Sequence, residues 1–350
     1  MCRNGIDCDW VAFSGCGLYG CLVRADGTAW CWGSNTYGQI GDGTTIDRKS
    51  PVAVEGLDNV RSIRYVGHYS CATTADGSVW CWGRNEYGQI GDGTTEVRLL
   101  PVNVSLPQPA EKIGTARGNV TALLVDGTVW SWGSVGGPSP VQMSELSDVT
   151  DIADNGTWLV TAEGGVWRWD HREPPEQING VSNAVKVAAG DDHTCALSTQ
   201  QEVWCWGSNE YGQLGDGTTN DATEPVQVVG LQGVTHVEIG SGYYTCALRN
   251  DGTAWCWGDT RYGVLGNHVA NDPANSAHVQ ATPLQVEKIE GVIQIESTAG
   301  TNCAITEDGA AWGWGLVGGL IAPDPQVARI HVNNDDGKEY VDVPFPLLDP

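Results

Sequence analysis

The chain has 350 residues, 43 of them Asp or Glu against 18 Lys or Arg, for a formal charge of −25. That surplus argues against nucleic acid and anionic membrane as partners, since both are held by clustered Lys and Arg. It suits a soluble, self-repelling surface, or an acidic face for cations or a basic partner. Forty-seven Gly and 16 Pro mark an all-β chain with many tight turns; with two Phe and two Met, the core must rest on 16 Trp together with Val, Ile, Leu and Ala. No segment approaches the eighteen or so consecutive apolar residues of a membrane helix.

In chain order, residues 1–9 read as a cysteine-containing lead-in without a signal-peptide pattern. Residues 10–334 read as one seven-bladed β-propeller, and 335–350 as a tail or ring-closing segment. The repeat shows as a Trp-x-Trp cassette at 30–32, 80–82, 130–132, 167–169, 204–206, 255–257 and 312–314, spaced at the period of a propeller blade. A single repeat cannot bury its apolar faces alone, so the copies must stack on one another. Each blade is expected to hold four antiparallel strands. The first is apolar at intervals (Val60, Ile63 and Val66; Val234, Val237 and Ile239), and the second is short (Cys71 to Thr73; Cys246 to Leu248). An Asp-Gly hairpin turn follows at Asp26, Asp76, Asp126, Asp251 and Asp308, with Gly supplying the positive φ. The Trp-x-Trp strand is third, and alternation turns both indoles toward a neighbouring blade. The fourth strand is predicted to open with Pro51, Pro101, Pro140, Pro225 or Pro283, as suits an edge strand; Pro175 and Pro325 mark it only weakly.

Four blades carry cysteine in both the second strand and the Trp-x-Trp centre: Cys21 with Cys31, Cys71 with Cys81, Cys195 with Cys205, Cys246 with Cys256. Around a tight turn this spacing opposes the two on adjacent strands, within disulfide reach. Blade three has Thr121 and Ser131 at these places, and blade four Trp158 and Arg168. Joint presence or absence is what bonded pairs would show. Cross-strand disulfides imply an oxidising compartment, hence a secreted or cell-surface protein. A metal centre is not expected, since one cysteine pair per blade supplies only two ligands. Cys2, Cys8, Cys16 and Cys303 are left over, and Cys303 is expected to pair with an N-terminal cysteine and close the ring. The four cysteine blades also have the longest connections from the second Trp of the cassette to the proline of the fourth strand. One reading is that a crosslinked hairpin anchors a loop that does not anchor itself.

The long loops read Gly33 to Thr45, and the same run returns at Gly83 to Thr95 and Gly207 to Thr219. With the preceding Asp-Gly-x-x-Trp-x-Trp-Gly, this resembles the repeat of the regulator of chromosome condensation family, over seven repeats and nearly the whole chain. The resemblance implies a seven-bladed propeller acting as an interaction scaffold; known roles include exchange factors for small GTPases, a plant UV-B receptor and an inhibitor of β-lactamases. The tryptophan-rich, cysteine-paired form looks more like secreted bacterial members.

Within the loops, Tyr37, Tyr87, Tyr211 and Tyr262 recur and could be rigid anchors for a partner or could pack each loop on its own blade. Asp42, Asp92 and Asp216 could hold Ca²⁺, but one Asp plus hydroxyls per loop is thin, and an Asx turn explains them as well. His68 and His193 read as structural hydrogen-bonding residues; His268, Asp272 and His278 fall in the longest loop. No phosphate loop, hydrolase elbow or metalloprotease helix is present. A channel enzyme would need convergent polar residues on the innermost strands, which are read as mainly Val, Ile and Ala. The expectation is therefore a non-enzymatic, cofactor-free, monomeric extracellular scaffold that binds a protein or surface ligand through the long loops on one face. The alternatives are a guanine-nucleotide exchange regulator of a small GTPase, or an inhibitor of a secreted enzyme.

Overall fold

Blade two shows how the sequence builds each unit. Its strands, Val60–Tyr65, Tyr69–Thr74, Val79–Gly83 and Arg98–Val104, pair in order as an antiparallel meander. Asp76 closes the central hairpin by accepting the Ser78 backbone N–H at 3.0 Å, and Gly77 takes φ 80°. A computed structural model describes residues 10–15, 19–116, 118–170, 173–240, 243–267, 278–297, 300–315 and 328–330. Within them lie seven four-stranded sheets of this same order, a seven-bladed β-propeller.

The first strands line the central channel: Trp10–Ser14, Val60–Tyr65, Ala110–Ala116, Val149–Ile152, Ala184–Ala189, Val234–Ile239 and Val292–Ser297. Their apolar residues stand three apart at the start, as Val60 and Ile63 do, because the register shifts there, between Val60 and Ser62 in blade two. The bulge adds one residue and turns both onto the core side, leaving Ser62 and Arg64 toward the channel.

The indoles face the preceding blade. Trp80 and Trp82 pack with Cys31, Ile40 and Val54 of blade one, whereas Cys71 and Cys81 face Ile113, Val120 and Trp132 of blade three. The second indole of each cassette is also tied by a hydrogen bond. Trp82, Trp132 and Trp257 donate Nε1–H to the carbonyls of Gln39, Gln89 and Gln213 in the long loop of the blade before, at 2.9, 3.0 and 2.9 Å, and Trp314 donates to Val264 at 3.0 Å. Trp206 follows blade four, whose connection is short. Its indole N–H has no hydrogen-bond partner among the described residues, and its ring instead meets Trp158 edge-on, 5.3 Å between centroids.

The fourth strands differ from expectation. In blade two the strand begins at Arg98, and the ladder jumps from Cys81–Val102 to Gly83–Arg98. Pro101 thus sits inside a bulge, where the missing N–H leaves no ladder bond unmade. Pro51, Pro140, Pro225 and Pro283 lie in equivalent bulges.

All four matched cysteine pairs are disulfide-bonded, with Cα atoms 4.1 Å apart across directly opposed positions. Each closes a loop of about ten residues, worth roughly 2.5–3 kcal/mol in chain entropy. Thr121 and Ser131 face each other in the same register in blade three, as do Trp158 and Arg168 in blade four. Cys303 is disulfide-bonded as well, to none of these eight. Cys2, Cys8, Cys16, the proposed ring-closing pairing and residues 335–350 lie outside the described residues.

Candidate functional site

Because strands alternate in direction, the first-to-second and third-to-fourth connections of every blade leave on the same face. The long loops and the short inner turns therefore form one continuous surface. The loops are held from within, which corrects the reading of a loop anchored only by its crosslinked hairpin. Asn35, fully buried, donates through Nδ2 to the carbonyls of Thr44 and Ile46 at 3.0 and 3.2 Å, and its Oδ1 accepts the Ile40 N–H at 2.9 Å. Asn85 repeats the arrangement, and Asn209 repeats it with the Thr218 carbonyl and the Leu214 N–H. The loops then grip the next blade: in blade one Gln39 donates to the Gly67 carbonyl at 3.0 Å and its own carbonyl accepts from Ser70 and Trp82, whereas in blades two and five the grip runs through the Gln89 and Gln213 carbonyls. The sequence reading gives these asparagines no role, although they recur in register two residues before Tyr37, Tyr87 and Tyr211; Thr260 takes that place before Tyr262.

The acidic loop residues are engaged inside the loops. Asp42 Oδ1 accepts both the N–H and the hydroxyl of Thr44, and its Oδ2 accepts Arg48 Nε at 2.6 Å. Asp92 does the same with Thr94 and Arg98, and Asp216 with Thr218. For Asp42 and Asp92 burial opposes the charge, but the threonine and arginine bonds outweigh it and hold both pKa values below the usual aspartate range.

The tyrosines divide into two sectors. Over blades one and two, Tyr37 is half-buried between the His68 ring at 5.3 Å and the Arg84 guanidinium at 5.3 Å, while Tyr87 is 54% exposed with Arg84 5.8 Å from its ring. Tyr19 and Tyr65 stack beside them at 5.2 Å. Over blades five and six, Tyr211 is half-buried between Arg261 at 4.8 Å and Tyr243 at 4.8 Å, and Tyr262 is 46% exposed. Tyr37 and Tyr211 thus pack on their surroundings, and Tyr87 and Tyr262 project.

His193 lies between blades five and six. Its Nε2 is 2.8 Å from the Thr245 hydroxyl, which itself donates to the Gln213 carbonyl, so His193 donates through Nε2. Burial pushes its pKa down to about 3, which keeps the ring neutral. The His278 carbonyl accepts the Thr260 N–H at 3.1 Å; His268 and Asp272 lie outside the described residues.

The channel departs most from expectation. Val, Ile and Ala do fill the core side of the innermost strands, but the bulges turn a second set of residues inward. A cavity of about 150 Å³ is lined by all seven innermost strands and carries Arg64, Lys112, Asp151, Lys186, Glu238 and Glu296 among others. Arg64 reaches from blade two to Asp154 of blade four at 2.5 Å and to Glu296 of blade seven at 3.9 Å. Lys112 contacts Asp151 at 2.9 Å and Asp154 at 3.6 Å. Lys186 can only donate to His236 Nδ1, at 3.2 Å, so His236 carries its proton on Nε2 and donates it to Glu238 at 2.6 Å. Burial works against the charges on Arg64, Lys112 and Asp154, yet their mutual attraction outweighs it and holds the cations above and the carboxyl below their usual pKa values. Glu296 goes the other way: burial, with Glu238 and Asp154 nearby, pushes it up to about 8 against the pull of Arg64. The charges satisfy one another and tie blades together across the axis.

Profiles described as regulator of chromosome condensation (RCC1) repeat match residues 26–73, 76–123 and 201–248, and a second form of the repeat matches 60–89, 184–213 and 234–264; together they take in just over half of the chain. The mouse E3 ubiquitin-protein ligase HERC2 is 32% identical over 110 residues, which is 30% of this chain and 2% of that ligase. Among solved structures, Prp20p of Saccharomyces cerevisiae, described with its binding properties to Gsp1p and histones, superposes with TM-score 0.75 at 18% identity, covering 89% of this chain and 87% of its own. Human WBSCR16 gives TM-score 0.69 at 20% identity, with 85% and 86% covered.

Proposed function

Since the chain belongs to the regulator of chromosome condensation repeat family, we propose that it is a non-enzymatic, extracytoplasmic scaffold whose long-loop face recognises a protein or surface ligand. The observation that carries this reading is the pairing of rigid loops with projecting aromatic rings. Tyr87 stands on a loop fixed by buried Asn85 and bound to blade three through the Gln89 carbonyl, and Tyr262 on a turn bound to blade seven through the Val264 carbonyl, which accepts Trp314 Nε1–H and Asn302 Nδ2–H. Rigid, amphipathic rings held this way lose little conformational entropy on binding, which is how tyrosine anchors an interface. The four cross-strand disulfides support an oxidising compartment. Prp20p is described as binding Gsp1p and histones; engagement of a protein partner is the only part of that description carried over.

Affinity capture on the purified full chain tests this, using secreted and surface proteins of its source. The reading predicts a retained protein that is lost with Tyr87→Ala/Tyr262→Ala. It should be kept with Val125→Ser, a change at an exposed turn on the opposite face. Retention by the tyrosine variant would overturn the assignment to this face. Accelerated nucleotide release from a small GTPase would replace the scaffold reading with exchange activity.

A further inference from the structure

We infer that the loop face over blades five and six docks an arginine- or lysine-rich segment of a protein partner, cation on tyrosine and flanked by carboxylates; this rests on the scaffold reading above and names the class of partner. This sector already contains an example of the recognition itself. Arg261 lies 4.8 Å over the Tyr211 ring, while its guanidinium is held by Asp259 at 2.6 Å. Beside it Tyr243 is 38% and Tyr262 46% exposed, and no cation–π partner stands on either ring among the described residues. The described turns, loops and adjoining strand ends of this sector carry six carboxylates, Asp191, Asp192, Glu210, Asp216, Asp221 and Asp259, against the single guanidinium of Arg261. A partner that brings cations meets complementary charge here, on a chain of formal charge −25. Stacking on the rings strengthens the attraction and makes it local rather than diffuse. Counted the same way, the sector over blades one and two carries five carboxylates, Asp42, Asp47, Glu86, Asp92 and Glu96, against three guanidiniums, Arg48, Arg84 and Arg98, and Arg84 already spans Tyr37 and Tyr87.

The test is fluorescence anisotropy of a labelled nine-residue arginine-rich peptide with the full chain, compared with the same peptide carrying glutamine for arginine. Wild type is expected to bind the arginine peptide and not the glutamine one. Tyr243→Ala/Tyr262→Ala, which leaves the charge unchanged, should weaken binding about tenfold. Tyr19→Ala/Tyr87→Ala should leave it unchanged. The inference is overturned if wild type does not bind, if the Tyr243/Tyr262 variant binds as wild type does, or if both tyrosine variants lose affinity equally. Circular dichroism identifies a variant that fails to fold, in which case Tyr243→Ser/Tyr262→Ser carries the comparison. A negative peptide result alongside a captured partner that still depends on Tyr87 and Tyr262 would sink only the basic-segment assignment. Loss of capture dependence as well would sink the scaffold reading itself.

Discussion

Replacing Trp132 with alanine is expected to lower the unfolding free energy by about 3–5 kcal/mol, the range for deleting a buried aromatic ring. Trp132 is fully buried among Ile90, Val104 and Ile113 of the seam between blades two and three, and its indole N–H satisfies the Gln89 carbonyl at 3.0 Å. The fit is close: a Cβ added at Gly91 would stand 2.6 Å from Trp132 Nε1, so that loop glycine is dictated by the indole as well as by its φ of 78°. Trp132→Phe keeps most of the packing but leaves the carbonyl unpaired, for a loss of about 1–3 kcal/mol. Trp206→Phe is the contrast, because that indole N–H has no bond to lose, and it should cost less. Denaturant unfolding of the oxidised protein distinguishes the three. Equal losses for Trp132→Phe and Trp206→Phe would refute the staple.

Arg64→Met is expected to cost about 1–3 kcal/mol near neutral pH, since it leaves Asp154 with Lys112 alone and removes the guanidinium that faces Glu296 beside Glu238. The loss should grow with pH. Glu296 holds its proton up to about 8 when folded, against the ordinary glutamate range when unfolded. Folding therefore takes up a proton between these limits, and Glu296 makes wild-type stability fall as the pH rises across that window. In the Arg64 variant the same rise adds a third carboxylate charge with no guanidinium to receive it. Unfolding measured at pH 5, 6.5 and 8.5 should show the variant closest to wild type at the lowest pH, and Glu296→Gln should flatten the wild-type slope. A loss independent of pH would mean that Arg64 contributes through packing alone.

The architecture was legible because tryptophan cassettes and matched cysteines repeat in register, and seven copies constrain one another. The channel was not. Its charged residues are scattered singly, Arg64 in one blade, Lys112 in another, Asp151 in a third, and the bulge that turns them inward leaves only a three-residue spacing between apolar neighbours as its trace. Read as simple alternation, those strands look apolar. The loop asparagines were legible but overlooked, since charge and aromaticity drew the reading to Asp42 and Tyr37 rather than to the neutral Asn35 that organises both. The prolines were misplaced for a related reason: a residue without an N–H suits a strand start and a bulge equally well, and only the ladder distinguishes them.

The most direct measurement is a disulfide map of the unreduced protein from its native host, thiol-blocked before digestion. The account predicts linked peptides joining Cys21 to Cys31, Cys71 to Cys81, Cys195 to Cys205 and Cys246 to Cys256. Blocked thiols at those eight positions would contradict an oxidised, extracytoplasmic scaffold and return the reading to an intracellular regulator.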